Sequence, residues 1–109
     1  MTWAVAGSGS QTATIGTEHT LTTDTTNATY SFQVRCNNMA LGDVVELRLY
    51  TITLSGGTLE VVWKTTIGPS LPAAIVSSSP PQPSNQSIRA TLKQVAGTGR
   101  IFDWKLLRM

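Results

Sequence analysis

VVELRLYTITLSGGTLEVVWKTTI, residues 44–67, decides the fold class of this 109-residue chain. Apolar and polar side chains alternate in both halves of the stretch, which predicts two β-strands with one buried face each. Ser55-Gly56-Gly57 lies between the halves and predicts a tight hairpin. The apolar phase of the first half changes after Tyr50, which predicts a β-bulge or a bend. In the second half we expect four side chains to point inward: Leu59, Val61, Trp63 and Ile67.

The same alternation extends along most of the chain and contains no amphipathic helix of ten residues or more. It predicts strands over Gln11–Ile15, His19–Thr23, Ala28–Cys36, Val44–Leu54, Thr58–Ile67, Gln86–Val95 and Arg100–Arg108, with Ala73–Val76 as a brief edge strand. Seven or eight strands in one small chain indicate an all-β fold. We expect an antiparallel β-sandwich of the jelly-roll or immunoglobulin-like kind, with a small closed β-barrel as the alternative.

One face of each strand is expected to build the core. The inward sets are Tyr30, Phe32, Val34 and Cys36; Val45, Leu47 and Leu49; Ile88, Ala90 and Leu92; and Phe102, Trp104 and Leu106.

The chain is long enough for one domain only. Residues 1–10 are predicted to form an N-terminal arm with a flexible hinge at Gly7–Ser10, and residues 11–109 a single β domain. That domain carries a Pro-rich loop at 68–85, which holds all five prolines. Within the loop, Ser77–Pro83 is predicted not to pair as a strand, because proline supplies no amide donor.

Composition narrows the class of partner. Only 13% of residues are charged, against about 25% in typical domains, and Thr, Ser, Asn and Gln replace them. Interface cores are depleted in charge, so such a surface suits a protein that packs against neighbouring subunits. The eight basic residues are dispersed and the net charge is only +2, which argues against nucleic-acid binding. The absence of a signal peptide or a long apolar run leads us to expect synthesis in a cytoplasm and no membrane partner.

No set of residues predicts an enzyme, a metal site or a cofactor. His19 is the only histidine, and the only cysteine, Cys36, ends an apolar strand face where a buried, inert thiol is expected. Asp24 and Asp43 lie in turns, where Asp supports local hydrogen bonds. Gly97–Arg100 precedes a strand and is interpreted as a hairpin, because phosphate-cradling loops open a helix. Trp63 and Trp104 are expected in the core, with an aromatic carbohydrate platform as the alternative.

Contact elements are expected at the chain ends and in the Pro-rich loop. An apolar arm around Trp3 is either mobile or docked on a neighbour, and a proline segment loses little entropy on docking. The candidate interface residues are Trp3, Val5, Pro80, Pro81, Pro83, Leu107 and Met109.

Three segments resemble a family of small proteins encoded by tailed bacteriophages: TATIGTEHTLTTDTTNATYSFQV (12–34), ALGDVVELRLYT (40–51) and ATLKQVAGTGRIFDWKLLRM (90–109). The resemblance implies a virion component made in the host cytoplasm: a decoration or cement protein on the capsid. Its expected partners are the major capsid protein and copies of itself, as a trimer. A tail, neck or fibre-attachment component and a carbohydrate-binding β-sandwich module are the alternatives. The resemblance carries no catalytic residues.

Overall fold

The structure, a computed structural model, describes residues 2–71 and 75–109. It is all-β: two antiparallel sheets pack face to face as a sandwich, not as a closed barrel. The described strands are β1 (Ala4–Thr12), β2 (Glu18–Asp24), β3 (Ala28–Arg35), β4 (Val44–Thr51), β5 (Glu60–Ile67), β6 (Val76–Ser78), β7 (Gln82–Ser84), β8 (Ile88–Ala96) and β9 (Ile101–Arg108). Sheet A has the order β1-β9-β3-β6, with β7 also paired to β3, and sheet B has the order β2-β8-β4-β5.

The strand pairs are nested along the chain. β1 pairs with β9, β2 with β8, β3 with β6 and β7, and β4 with β5. The resulting ribbon of antiparallel pairs rolls up, which adds the β3–β9 and β4–β8 pairings. If β6 and β7 count as two halves of one interrupted strand, eight strands lie in jelly-roll order. Of the two sandwich types expected from the sequence, the topology is therefore that of the jelly roll.

The inward faces of the central strands were predicted correctly. Sheet A contributes Tyr30, Phe32, Val34, Phe102 and Leu106 to the core, and sheet B contributes Val45, Leu47, Leu49, Ile88, Ala90 and Leu92, all at most 1% exposed. Trp63 and Trp104 pack against this cluster and are half-buried. Burial of each large apolar side chain stabilises the fold by about 1.5–3 kcal/mol, so these rows supply most of the cohesion between the sheets.

The predicted irregularity near Tyr50 is confirmed, but the extra residue lies in the neighbouring strand. The β4–β5 register shifts between Leu49 and Tyr50, and Val62 of β5 is left without a partner. A bulge moves the following side chains to the other face. The prediction that Val61 points inward is therefore wrong, because Val61 pairs with Tyr50 and is 49% exposed.

Two predictions about the N-terminal segment and the Pro-rich loop are also wrong. The expected hinge at Gly7–Ser10 lies inside β1 and is paired with β9 throughout, while the strand expected to run to Ile15 ends at Thr12. The segment Ser77–Pro83 does contribute to pairing, since β6 and β7 both form the edge of sheet A beside β3. The brief edge strand expected at Ala73–Val76 begins outside the described residues, and β6 starts at its last position, Val76.

Candidate contact surface

The outer face of sheet A carries an apolar area at one end. Val5 of β1 pairs with Leu107 of β9, so their side chains share the outer face. Met109 follows β9 and exchanges two backbone hydrogen bonds with Thr29, at 2.9 and 3.2 Å. Val5 is 57% exposed and Met109 is 42% exposed, whereas Leu107 is half-buried between its neighbours.

The proline segment borders the same end of sheet A. Ser79 bridges the break between β6 and β7: its N–H donates to the Phe32 carbonyl at 2.8 Å, and its hydroxyl accepts the Phe32 N–H at 2.9 Å. Pro80 and Pro81 follow at the break, and Pro83 pairs with Thr29 in β7. All three proline rings are exposed, while Ser79 is buried. Ser79 thereby satisfies both the N–H and the carbonyl of buried Phe32 immediately before the prolines, which have no N–H to donate.

Trp3 lies immediately before β1, and strand alternation places it on the same side as Val5. Its side chain is 37% exposed, so most of it is covered by the protein itself. Residues 4–10 belong to the sheet, and no free arm extends between Ala4 and Thr12. The structure thus brings the candidate interface residues together at one end of sheet A, a surface called the apolar end: Trp3, Val5, Pro80, Pro81, Pro83, Leu107 and Met109.

Charged side chains border the apolar end along the strands and are called the charged row: Arg35, Asp103 and Lys105. Asp103 accepts a hydrogen bond from the Ser10 hydroxyl at 2.6 Å and lies 4.0 Å from the Arg35 guanidinium. Lys105 lies one row nearer the apolar end, opposite Ser8. A shallow groove of about 250 Å³ runs across these rows. Sequence reasoning missed Ile101, which is 50% exposed beyond the charged row and lies on the face opposite Phe102.

The outer face of sheet B is mostly polar, although it includes the exposed Val61, and it carries ion pairs and hydrogen bonds of its own. The Glu18 carboxylate accepts hydrogen bonds from Tyr50 at 2.5 Å and from Thr91 at 2.7 Å. Burial acts to raise the pKa of Glu18, but these two hydrogen bonds and the charges of Arg48 and Lys93 together lower it. Glu46 pairs with Arg48 at 2.7 Å and with Lys64 at 3.4 Å. Most of the charged groups of this face are thus paired within the molecule, although Arg48 Nη1 is buried without a hydrogen-bond partner among the described residues.

The turn between β8 and β9 is a structural hub. Asp43 is 2% exposed, and its carboxylate accepts hydrogen bonds from the Ala40 N–H, the Thr98 N–H and Arg100 Nε at 2.8–3.1 Å. Gln94, also fully buried, donates to the Thr98 carbonyl at 2.7 Å and accepts the Arg100 N–H at 3.1 Å. The Gly97–Arg100 segment is therefore a braced hairpin, as predicted, and Asp43 supports its turn as predicted but also reaches the hairpin.

The side chains that could act in catalysis or bind a metal lie apart from one another. His19 Nε2 accepts the Thr14 N–H at 3.1 Å, with Gln11 at 3.3 Å from Nδ1. Cys36 is buried as expected, and burial raises the pKa of its thiol to about 11. Within residues 2–71 and 75–109, no group of three or more His, Cys, Asp or Glu side chains could hold a metal ion. The same residues include no helix long and apolar enough to cross a membrane.

No family model, curated protein or solved structure matches this chain. The topology and the exposed surfaces are therefore the structural basis for a proposal about its function.

Proposed function

We propose that this protein is a structural component of a tailed-phage particle: a decoration protein that binds the outside of the capsid and stabilises the shell, with no catalytic activity. The observation that carries the proposal is the apolar end of sheet A. Seven candidate residues from three distant segments lie together there, while the opposite outer face is mostly polar and carries its own ion pairs. An exposed apolar area rimmed by polar residues is typical of a protein–protein contact site.

The physical chemistry of the apolar end suits docking. Its seven residues carry no charged side chain, so covering them requires no desolvation of an ion. The proline rings are already restricted in conformation and lose little entropy when they are covered. A stable interface buries about 800 Å² per partner, roughly one-seventh of the 5687 Å² surface of this protein. The apolar end would form the centre of such a contact and the charged row its rim.

The fold agrees with this proposal by analogy only. Jelly rolls occur in viral capsid proteins and in lectins, and one fold hosts many functions. A carbohydrate-binding module would need an exposed tryptophan platform, but Trp63 and Trp104 both pack against the core. Trp104 lines the shallow groove but is half-buried, and Trp3, the most exposed of the three at 37%, lies in the apolar end.

The test is co-sedimentation with separated heads and tails from particles of the phage that encodes the chain. The test variant is Met109→Asp, which places a charge in the apolar end. Its control is Val61→Asp, a similarly exposed valine on the sheet B side. We expect wild type and the control to sediment with heads in a fixed ratio to the major capsid protein, and Met109→Asp to bind at least about tenfold more weakly.

Other outcomes are equally informative. Binding to tails or necks in rings of copies would support a tail or neck component instead. Protein that binds neither heads nor tails, or a Met109→Asp variant that binds heads like wild type, would overturn the proposal.

A further inference from the structure

β1 is the least protected sheet edge. In the part of the chain that the structure describes, β1 is hydrogen-bonded on one side only, to β9. Its nine residues, AVAGSGSQT, contain no charged residue and no proline. The other edge strands carry the usual protection: β2 contains Glu18 and Asp24, β5 has charged residues and a bulge, β6 is only three residues long, and β7 contains a proline. An unprotected edge is a template for pairing with another strand.

The backbone groups that face outward from β1 can be assigned. The Ala13 N–H donates to the Arg100 carbonyl at 2.8 Å, so Ala13 faces β9. Antiparallel pairing alternates between residues that face the partner strand and residues that face away. The amides and carbonyls of Ser8, Ser10 and Thr12 therefore point away from β9. The one irregularity, at Ala6, lies near the start of the strand.

We propose that two copies of this chain pair their β1 strands antiparallel about a two-fold axis at Gly9. In this register Ser8 lies opposite the partner's Ser10, and Ser10 lies opposite the partner's Ser8. Thr12 lies opposite the start of the partner's strand, at the irregularity near Val5. The outward-facing amides and carbonyls of Ser8 and Ser10 then pair in one continuous ladder, while the Thr12 carbonyl already accepts a hydrogen bond from Gln11 Nε2 at 2.9 Å.

Charge selects this register over its neighbours. Ser10 pairs with Asp103, and Ser8 pairs with Lys105 on the same face. With the axis at Gly9, each Asp103 shares a row with the partner's Lys105, so opposite charges are aligned twice. An axis at Ser8 would align two lysines, and an axis at Ser10 would align two aspartates. The aligned charges are three strand spacings apart, about 14 Å between Cα atoms, so they bias the register at low ionic strength and are screened at high salt.

The exposed apolar residues give the same answer. Thr12 pairs with Ile101, and Val5 pairs with Leu107, at opposite ends of the strand. With the axis at Gly9, Thr12 lies opposite the partner's Ala6, so Ile101 of each copy lies close to the row of the partner's Val5, with Thr12 between them. Two apolar spots that are exposed in one copy, at 50% and 57%, thus fall two strand spacings apart at both ends of the joint.

The axis is perpendicular to the sheet, so both outer faces of sheet A point the same way. The dimer then presents two apolar ends on one side, and this consequence alone rests on the proposed function. When one apolar end of the dimer is bound to a repeating surface, the other is held near the next site at a high effective concentration. The dimer should therefore bind such a surface more tightly than a monomer. A two-fold dimer also differs from the trimer that the phage resemblance implies, and a mass measurement separates the two.

The first experiment is the solution mass by light scattering. Wild type is expected at twice 11.7 kDa. Ser8→Pro blocks the ladder but removes no bond to β9, because the Ser8 amide faces outward; we expect it at 11.7 kDa with an unchanged circular dichroism spectrum. Ser8→Ala keeps the amide and is expected to stay dimeric. Monomeric or trimeric wild type, or a dimeric Ser8→Pro variant, would overturn the proposal.

Disulfide crosslinking through one introduced cysteine, in a Cys36→Ala background, tests the register even if the proline variant folds poorly. A Cβ at Gly9 makes only ordinary contact with Trp104, at 3.5 Å, so Gly9→Cys is tolerated. Only an axis at Gly9 brings the Cα atoms of position 9 in the two copies within the distance of about 4.4–6.8 Å that a disulfide requires. We expect oxidised dimer with Gly9→Cys and none with Ser8→Cys or Ser10→Cys, and the reverse pattern overturns the register. These assays contain no capsid, so failed head binding would leave them unaffected.

Discussion

Replacing Asp43 tests the hub that joins the start of β4 to the β8–β9 hairpin. Its carboxylate accepts hydrogen bonds from two backbone amides, those of Ala40 and Thr98, and from the Arg100 guanidinium. In Asp43→Ala these donors lose their acceptor in a site that is 2% exposed. Asp43→Asn keeps one acceptor oxygen but turns an NH₂ group toward a donor.

The size of the loss follows from these contacts. Removing one partner of a buried ion pair costs about 3–5 kcal/mol. The Arg100 side chain is 30% exposed and partly hydrated, so losing its ion pair with Asp43 should cost a free energy near the lower end of that range. We expect Asp43→Ala to lose about 4 kcal/mol of unfolding free energy and Asp43→Asn about 2 kcal/mol. Asp103→Asn is the control, since its 4.0 Å ion pair with Arg35 is exposed and its loss is within about 0.5 kcal/mol.

Urea unfolding followed by tryptophan fluorescence measures the change, because Trp63 and Trp104 are half-buried. The pH dependence sharpens the test. The Ala40 amide, the Arg100 guanidinium and the Thr98 amide hold the pKa of Asp43 below its usual value despite burial. This contribution is therefore present above about pH 4, the unfolded pKa, and is lost as the pH falls through the folded pKa. The gap between wild type and Asp43→Asn should narrow in acid. An Asn variant as stable as wild type, or a gap independent of pH, would refute the reasoning.

Three further outcomes are expected. Gly97→Ala should lose more than about 3 kcal/mol, because φ is +91° and the new Cβ would overlap Asp43, whereas Gly16→Ala, at φ +83° in open space, should lose about 1 kcal/mol; urea midpoints compare the two. Ser79→Ala removes the acceptor of a buried β3 amide and should lose about 1–3 kcal/mol in the same assay, and an unchanged midpoint would mean that water replaces the hydroxyl. The Cys36 thiol, with its pKa raised to about 11, should react with a thiol reagent at pH 8 only on unfolding, and rapid labelling of folded protein would contradict its burial.

Alternation predicted the core because the inward rows of β3, β4, β8 and β9 are apolar at every second position. It failed at β1, whose glycines and serines show no apolar row. The strand forms there because the partner elements need small residues: a Cβ at Gly7 would lie 3.0 Å from Thr22, and Gly9 faces the Trp104 ring. Tertiary contact thus overrides the low strand propensity of glycine.

The proline segment shows a second limit of sequence reasoning. Proline is excluded from a strand only where its missing amide is needed. Thr29 directs its backbone hydrogen bonds to Met109 on the other side, so its neighbour Pro83 occupies a position that requires no donor. Whether an edge-strand position needs its backbone amide depends on the pairing register, and the neighbouring strand sets that register.

The candidate surface itself follows from the nesting of strand pairs. β1 and β9 form the outermost pair of the ribbon, so Val5 and Leu107 must meet although about a hundred residues separate them. Rolling the ribbon places β3 beside β9 and brings the proline edge to the same end. The sequence suggested each of these residues as a candidate contact, but it could not show that they are neighbours, because their adjacency depends on the strand topology. A substitution that loosened the β1–β9 pair would therefore disperse the apolar end without changing any of its residues.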